Sequence, residues 1–392
     1  MQPAAGAIDL NPQQVEINSS IANNIAETYR LWGYEKISPP IIERLDTLMA
    51  GDGVANADIL KIVSDDQLGL RPEMTTSISR ASATRFNNRT RPLRLWSSGP
   101  VFKSKKGNKG ATQIEESNQI GVELYGVKSI NAELELISLL LDSLKTINFS
   151  QKHEPTLLIG NTELFRYILS TYDEIYRVKI ESILTRIDRV EIEKLSISQD
   201  KKNELQSLLL LRGDPKNILM KLEEIYGQSD ILKKLSDFFN VICSISSNYN
   251  IKIQFDPTFK PHYNLYNGFV FQLICKSHSK QVTIAKGGRY DKIVKIFEKD
   301  ESIASGVGFT YSIDKIRELI TEEKIFIPKE DRILITYKDK RSINLAFNKL
   351  RELHSKSLIA MMELSPCNNE EEASSLLTKR NCNKLIWITK QN

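Results

Sequence analysis

The sequence predicts an α+β fold in which an antiparallel sheet is flanked by helices. Apolar residues alternate on both sides of a basic stretch within Arg91–Gly126, which is typical of a half-buried strand hairpin. A long region of helical periodicity, from Glu163 to about Ser247, then separates this hairpin from further strands. Strand and helix patterns alternate from about Ile327, which indicates a small C-terminal α/β domain.

Composition sets the first limits on function. A chain of 392 residues can bury a full core and form two or three domains. Its net charge of +5 tolerates a polyanion but does not require nucleic acid. The four cysteines show no C-x-x-C spacing, so they indicate neither a zinc site nor a disulfide framework. Because we find no secretory signal and no apolar run of membrane-spanning length, we expect a cytoplasmic protein.

The first elements are a helix and a short strand. Asn11 and Pro12 have the residue types preferred at the N-cap and first position of a helix, and Gly33 is suited to its end. The following strand, Glu35–Ile42, is interrupted by Pro39 and Pro40. Proline cannot donate to a strand ladder, so we place this strand at a sheet edge or at an interface with another chain.

A strand turns into a helix around Glu73. Pro72 restrains Arg71 to extended geometry, and Thr75 or Thr76 is expected to cap the helix that follows. Glu73 and Thr75 then lie at a turn that commonly supplies ligand groups. Alternatively, Glu73 interacts only with Arg71 or with the helix N-terminus.

The hairpin contains the most informative polar residues. Its first strand is predicted to end at Gly99-Pro100 and to lead into a basic loop, Lys103–Lys109. Such a loop suits a phosphate or nucleotide, although a solvated hairpin tip has the same composition. On the return strand Gln119 and Glu123 have an even spacing and share one face, where they can bind an ammonium group or an imidazole edge.

The rest of the chain alternates between helical and strand patterns. A core helix is predicted from Ile130 to Leu144, and later strands are predicted at Thr156–Gly160, Ile251–Phe255, Gly268–Cys275, Val282–Ala285 and Ala304–Thr310. Paired glycines after the strand Val282–Ala285 permit a close ligand approach or a bulge. We predict core segments 1–155 and 249–325, a helical insertion 156–248 and a C-terminal domain 330–392.

Several motifs, in order, resemble those of class II aminoacyl-tRNA synthetases, and within that class the histidyl branch. They are the helix–strand–proline segment Tyr29–Glu43, LRPEMT at Leu70–Thr75, the strand–loop–strand RLWSSGPVFK…NQIGVELYG, GGRYDKIV at Gly287–Val294, and GVGFTYSIDKI. The resemblance spans roughly residues 6–320 apart from the helical insertion. It implies a class II synthetase-like sheet, and the C-terminal domain is similar to a shortened anticodon-binding domain.

The resemblance also implies a histidine pocket without an intact ATP site. The family positions that bind histidine carry Glu73, Thr75, Gln119, Glu123, Tyr266, Gly287, Gly288 and Tyr290. Two family arginines that bind ATP phosphates are replaced by Lys103 and Lys315, and the stretch Lys260–Tyr266 lacks a third arginine. Lysine cannot make the two-pronged guanidinium contact. Three such losses of about 1.5–3 kcal/mol each would slow adenylate formation roughly a thousandfold to a millionfold.

This combination resembles the regulatory subunits of ATP phosphoribosyltransferase, a synthetase-related family, and the opening QPAAGAIDLNP resembles its cyanobacterial form. The resemblance implies a partner of a short-form catalytic chain, feedback by L-histidine and self-association as a dimer. We expect no catalytic residue, cofactor, metal, membrane or tRNA. Two alternatives are an active histidyl-tRNA synthetase with diverged motifs and a stand-alone histidine sensor.

Overall fold

The computed structural model describes residues 3–50, 56–106, 112–147, 149, 151–260, 265–278, 280–322 and 331–389. The chain divides into two compact units, Met1–Glu323 and Lys324–Asn392. No helix within the described ranges is both long enough and apolar enough to cross a lipid bilayer.

Strands and helices of the first unit are numbered in chain order. The strands are β1 (Glu35–Lys36), β2 (Ile42–Arg44), β3 (Lys61–Ile62), β4 (Leu68–Leu70), β5 (Leu93–Lys106), β6 (Thr112–Tyr125), β7 (Thr156–Asn161), β8 (Lys252–Phe255), β9 (Phe269–Lys276), β10 (Gln281–Arg289) and β11 (Gly306–Ser312). The helices are α1 (Pro12–Leu31), α2 (Leu45–Leu48), α3 (Thr75–Thr84), α4 (Asn131–Lys145), α5 (Thr162–Ser170), α6 (Glu174–Arg186), α7 (Arg189–Glu193), α8 (Gln199–Leu208), α9 (Pro215–Tyr226), α10 (Asp230–Ser246), α11 (Asp291–Phe297) and α12 (Ile313–Glu322).

The main sheet of the described chain has eight strands in the order β1-β5-β6-β11-β10-β9-β7-β8. Its interior pairs are antiparallel, as predicted, whereas β1 pairs parallel to β5 and β8 pairs parallel to β7 at the two edges. The predicted strand Glu35–Ile42 is wrong as a single element, because β1 ends at Lys36 and Ile42 begins β2 in a different sheet. The predicted edge position is confirmed, because β1 is the end strand of the main sheet. A smaller sheet has the order β2-β4-β3.

Helix α1 begins and ends where the sequence predicts. The side chain of Asn11 accepts from the Gln14 backbone N–H, and the Gln14 side chain accepts from the Asn11 N–H, both at 2.9 Å. This reciprocal capping box satisfies two N–H groups that the helix itself cannot pair. Gly33 follows the helix with a φ of +78°, a conformation that favours glycine.

Two strands are longer than predicted. Strand β5 continues through Gly99-Pro100 to Lys106, so the prediction of a loop from residue 100 is wrong, and Lys103 lies opposite Glu115. Proline is tolerated there because β1 pairs only with Leu95 and Trp96, which leaves the outer edge of β5 without a ladder. The remaining loop residues 107–111 lie outside the described ranges.

The second long strand is β10, which continues through Lys286, Gly287 and Gly288 to Arg289. Its irregular register falls between Thr283 and Ala285, not at the paired glycines. The glycines are therefore part of a regular ladder in the middle of the sheet.

Helices α5 to α10 lie in sequence between the neighbouring strands β7 and β8. Helix α9 begins at Pro215, and the side chain of Asp214 caps it by accepting from the Asn217 N–H. Apolar side chains on these helices are buried, among them Ile183, Leu208 and Phe238. The domain boundaries proposed above remain a prediction.

The second unit has the predicted alternation of strands and helices. Its elements are β12 (Arg332–Tyr337), α13 (Ile343–Ser355), β13 (Ile359–Met362), α14 (Glu370–Lys379) and β14 (Lys384–Ile388). The strands form a parallel sheet in the order β13-β12-β14. Ile335, Tyr337, Ala346 and Leu353 contribute to its core.

A buried ion pair attaches the end of β10 to α4. Arg289 Nε and Nη2 donate to the two carboxylate oxygens of Glu133 at 2.6 and 2.7 Å. The guanidinium also donates to the backbone carbonyl oxygen of Val127 at 3.0 Å, and Asp291 accepts from Arg289 and from the Gly306 N–H. Both partners are almost fully buried, so loss of one would leave an uncompensated charge.

We expect Glu133→Ala to lower the free energy of unfolding by about 3 kcal/mol, because Arg289 would keep its buried charge with only Asp291, 3.3 Å away and less buried, as counterion. Denaturant titration followed by circular dichroism measures the change. The matched control is Glu27→Ala, which breaks an exposed ion pair with Arg30 and should have little effect. Equal destabilisation by the two variants would contradict a special role for the buried pair.

Candidate functional site

The site is a cavity of about 420 Å³ on one face of four neighbouring strands. The register brings their side chains together in two rows. Glu123 of β6 lies opposite Gly308 of β11, which lies opposite Gly288 of β10. Two residues along, Thr310 of β11 lies opposite Lys286 of β10. Since alternate residues of a strand share a face, Glu123, Gly308, Thr310 and Lys286 all contribute to the cavity floor. Gly288 does not line the cavity, because the Tyr266 ring lies against it.

Glu123 is the buried carboxyl group of this site. The Thr75 hydroxyl donates to its Oε1 at 2.7 Å, and the Tyr290 hydroxyl donates to Oε2. Gly308 makes room for the group, because a Cβ added at that position would lie 1.7 Å from Oε2. Three different elements therefore fix the position of one carboxyl group.

Burial raises the pKa of Glu123 to about 8, although the hydrogen bonds from Tyr290 and Thr75 act in the opposite direction. The group therefore keeps its proton at neutral pH when the cavity holds no cation. Burial and the Glu123 carboxyl also raise the pKa of Tyr290, so the tyrosine remains a donor. A neutral carboxyl group can donate to an imidazole nitrogen or transfer its proton to it.

Glu73 lies at the N-terminus of α3 and lines the same cavity. Its Oε1 accepts from the backbone N–H of Thr76 at 3.0 Å, which caps the helix in place of a threonine hydroxyl. The expectation that Thr75 or Thr76 caps α3 is therefore wrong, because the Thr75 hydroxyl donates to Glu123 instead. Glu73 therefore interacts with the helix N-terminus, which was one of the two alternatives, and its carboxylate also lies on the cavity wall.

The two tyrosines occupy different parts of the cavity wall. Tyr290 precedes α11 and is buried, while Tyr266 lies against Gly288, whose added Cβ would be 2.7 Å from the Tyr266 ring. An added Cβ at Gly287 would be 2.5 Å from the Cβ of Phe309. The paired glycines thus admit the protein's own side chains close to the backbone.

Gln119 lines the cavity and also borders a second, adjoining cavity of about 300 Å³. The hydroxyl of Thr310 donates to Gln119 Oε1 at 3.5 Å, the limit of a hydrogen bond. The second cavity is lined by three lysines, which are Lys103, Lys286 and Lys315. The two positions that replace family arginines therefore line one cavity together with a lysine that sequence reasoning did not single out.

Lys286 is the main residue that the sequence analysis missed. It lines both cavities from the middle of β10, and burial lowers its pKa to about 8, with Lys103 and Lys315 acting in the same direction. The signal was its even spacing from Gly288, which places both residues on one strand face. Because the predicted strand Val282–Ala285 stops before Lys286, the prediction did not place this side chain on either face of the sheet.

The helical region also contributes to the cavity wall, which sequence reasoning did not anticipate. Arg212 precedes α9, and its Nε donates to Asp256 Oδ2 at 2.7 Å. Lys260 donates to Glu181 of α6. Arg212, Asp256 and Lys260 all line the larger cavity. The next residues, 261–264, belong to the stretch without an arginine and lie outside the described ranges.

We expect Glu123→Gln to remove a pH-dependent loss of stability. The unfolded carboxyl group ionises near pH 4.5 and the folded one near pH 8, so the folded state retains an extra proton between these values. The free energy of unfolding of the wild type therefore falls as pH rises across this range. A glutamine cannot ionise, so at pH 8 the variant should gain roughly 3–4 kcal/mol relative to its difference at pH 5.

Urea titrations of both proteins at pH 5 and pH 8 measure this gain. The control is Glu301→Gln, at an exposed position of the same unit, for which the difference from wild type should not change with pH in this way. If the free energies of unfolding of wild type and Glu123→Gln differed by the same amount at both pH values, Glu123 would not be neutral in the folded protein.

Comparisons with known proteins agree with this architecture. The family described as Histidyl-tRNA synthetase matches residues 6–316. The chain is 46% identical over 387 residues to an ATP phosphoribosyltransferase regulatory subunit of Prochlorococcus marinus (strain MIT 9211), with 99% of each chain covered.

Among solved structures, the chain is similar to an ATP phosphoribosyltransferase regulatory subunit/histidyl-tRNA synthetase from Bacillus halodurans. The TM-score is 0.83 at 22% identity, covering 100% of this chain and 99% of the other. It is also similar to histidyl-tRNA synthetase from Nostoc sp. PCC 7120, with a TM-score of 0.81 at 16% identity, covering 99% and 91% of the two chains. These likenesses establish the class II synthetase-like fold predicted from the motifs.

Proposed function

The chain belongs to the histidyl-tRNA synthetase family, in its branch of ATP phosphoribosyltransferase regulatory subunits, and we propose that it acts as the non-catalytic regulatory subunit of that transferase. The observation that carries the proposal is 46% identity to such a subunit across 99% of both chains. Its function is then regulatory and belongs to histidine biosynthesis, while catalysis resides in a partner chain. The partner is a short-form catalytic subunit that condenses ATP with phosphoribosyl pyrophosphate.

The cavity supports L-histidine as the effector. Glu73 and Glu123 offer carboxyl groups to a cationic ligand, and Gln119 offers both a donor and an acceptor. The neutral Glu123 suits an imidazole ring, because the shared proton creates a hydrogen-bonded ion pair only after binding. We place the ring against Glu123 and Tyr290, and the α-ammonium group near Glu73.

The lysine-lined cavity supports a regulatory rather than a catalytic role. Lys103 and Lys315 stand where the synthetase resemblance expects phosphate-binding arginines, and both border the smaller cavity. An ammonium group lacks the planar, two-pronged donors of a guanidinium group. Activation of an amino acid with ATP would therefore lack the contacts that bend a triphosphate over the carboxylate.

Regulation requires that histidine binds two states of the assembly with different affinities. The effector site contacts several elements at once, including α3, the sheet and the helical region before α9. Ligand binding there can favour one arrangement of these elements, and the partner senses that arrangement at its interface. Self-association of this chain as a dimer forms part of the same proposal.

The experiment that tests the function is reconstitution with a short-form ATP phosphoribosyltransferase. We expect the catalytic chain to be active only with this chain present, and histidine to inhibit the complex. The control is this chain alone with ATP, histidine and labelled pyrophosphate, which should show no histidine-dependent exchange. Rapid exchange, or a catalytic chain that is equally active by itself, would overturn the proposal.

We expect Glu123→Gln to preserve activation of the catalytic chain and to weaken histidine binding about 10–100-fold, because a charge-assisted hydrogen bond of about 1.5–3 kcal/mol is lost. Titration calorimetry on the complex measures affinity, and the inhibition constant should change in parallel. Glu301→Gln is the matched control. Undiminished inhibition in Glu123→Gln would remove this residue from the effector site.

A further inference from the structure

The larger cavity has acidic and basic groups arranged around one space. Glu73 and Glu123 line it together with Lys286, which rises from the middle of the floor. Lys103 also lines both cavities, and Lys315 lines the adjoining one. This arrangement complements a ligand that carries both a cation and an anion.

We propose that Lys286 binds the α-carboxylate of the amino-acid effector, in place of the guanidinium that the synthetase-like stretch 260–266 lacks. The proposal rests on the proposed function, because it assumes an amino acid in the larger cavity. It adds a specificity-determining residue, since an ammonium group at this point selects ligands that carry a carboxylate.

The sheet geometry gives the required separation. Lys286 and Glu123 lie two strands apart and two residues apart along the strands, on the same face. With strands about 4.8 Å apart and a rise of about 3.4 Å per residue, their Cα atoms are roughly 12 Å apart. Side chains stand roughly perpendicular to a sheet, so the head groups of Lys286 and Glu123 have a similar lateral separation. Histidine with its ring toward Glu123 and its carboxylate toward Lys286, plus hydrogen bonds of about 2.8 Å at each end, spans such a distance.

The electrostatics place the ammonium group of the ligand correctly as well. The α-ammonium and the α-carboxylate share one carbon atom, so their binding groups must be close to each other. Glu73 lines the same cavity as Lys286 and Glu123, and its charge raises the pKa of each. Glu73 is thus positioned for the ammonium group when Lys286 holds the carboxylate.

Two other cations that line the larger cavity form ion pairs with carboxylates of the protein. Arg212 donates through both Nε and Nη2 to Asp256, and Lys260 donates to Glu181. Lys103 lies on β5, three strands away from β10 in the sheet. The direct cross-strand neighbours of Lys286 are Thr310 and Gln272. Lys286 is therefore the cation on the floor itself, beside the position of the ligand.

The test compares L-histidine with L-histidinol, which has the same ring and ammonium group but an alcohol in place of the carboxylate. Titration calorimetry on the complex measures both ligands with wild type, Lys286→Met and the more polar Lys286→Gln. We expect either substitution to weaken histidine about 10–100-fold and to leave histidinol nearly unchanged. Lys292→Met, which removes an exposed lysine on the following helix, should change neither affinity.

A second experiment measures the proton uptake that accompanies ligand binding. The groups that set the charge on Lys286 are Lys103 on β5, Lys315 on α12, Glu73 before α3 and Glu115 on β6. A bound carboxylate raises the pKa of Lys286 above its present value of about 8. At pH 8.5, binding of histidine should therefore be accompanied by a larger proton uptake than binding of histidinol. Calorimetry in buffers of different ionisation enthalpy measures this excess, which Lys286→Met should abolish.

Each outcome decides a separate point. Equal weakening of histidine and histidinol in Lys286→Met, or no weakening of either, overturns the role of Lys286. The same holds if Lys103→Met alone abolishes the preference for histidine. If wild type binds neither ligand, the proposed effector site fails as a whole. If Glu123→Gln loses histidine binding while Lys286→Met binds histidine normally, the effector site stands and only the role of Lys286 is overturned.

Discussion

The burial of one carboxyl group, that of Glu123, is the constraint that most of the site depends on. A buried carboxyl group needs polar partners and space. The partners come from Thr75 at the start of α3 and from Tyr290 before α11. The space comes from Gly308, where any larger residue would overlap the carboxyl group. These requirements bring a helix, two strands and a loop to one point.

The position of Tyr290 depends in turn on the preceding residue. Arg289 is attached to α4 by two hydrogen bonds to Glu133, and Asp291 joins the same network through the Gly306 N–H. Residues on both sides of Tyr290 are therefore held, which directs its hydroxyl toward Glu123. A buried ion pair of this kind adds little net stability over apolar packing, so we infer that its value here is positional.

The lysines at the phosphate-binding positions favour a regulatory rather than a catalytic role for this chain. A synthetase needs rigid, two-pronged contacts to a triphosphate, and Lys103 and Lys315 cannot supply them. Burial, together with the charges of Lys103 and Lys315, lowers the pKa of Lys286, so an anion bound there would stabilise its charged form. A cavity that has acidic groups near a desolvated ammonium group suits a small zwitterion, the kind of ligand that a biosynthetic feedback sensor must recognise.

The sequence by itself determined the fold class, the ends of α1 and most of the elements, because periodicity, proline and glycine act locally. Its motifs also indicated eight site residues. Six of them line one cavity, namely Glu73, Thr75, Gln119, Glu123, Tyr266 and Tyr290, whereas Gly287 and Gly288 do not line it. Only the tertiary structure decided the partners of these groups and the extent of β5 and β10. Thr75 donates to Glu123 rather than to its own helix, and Lys286 faces the cavity, because strand register, a property of distant residues, determines which side chains meet. Local sequence carries no record of that register.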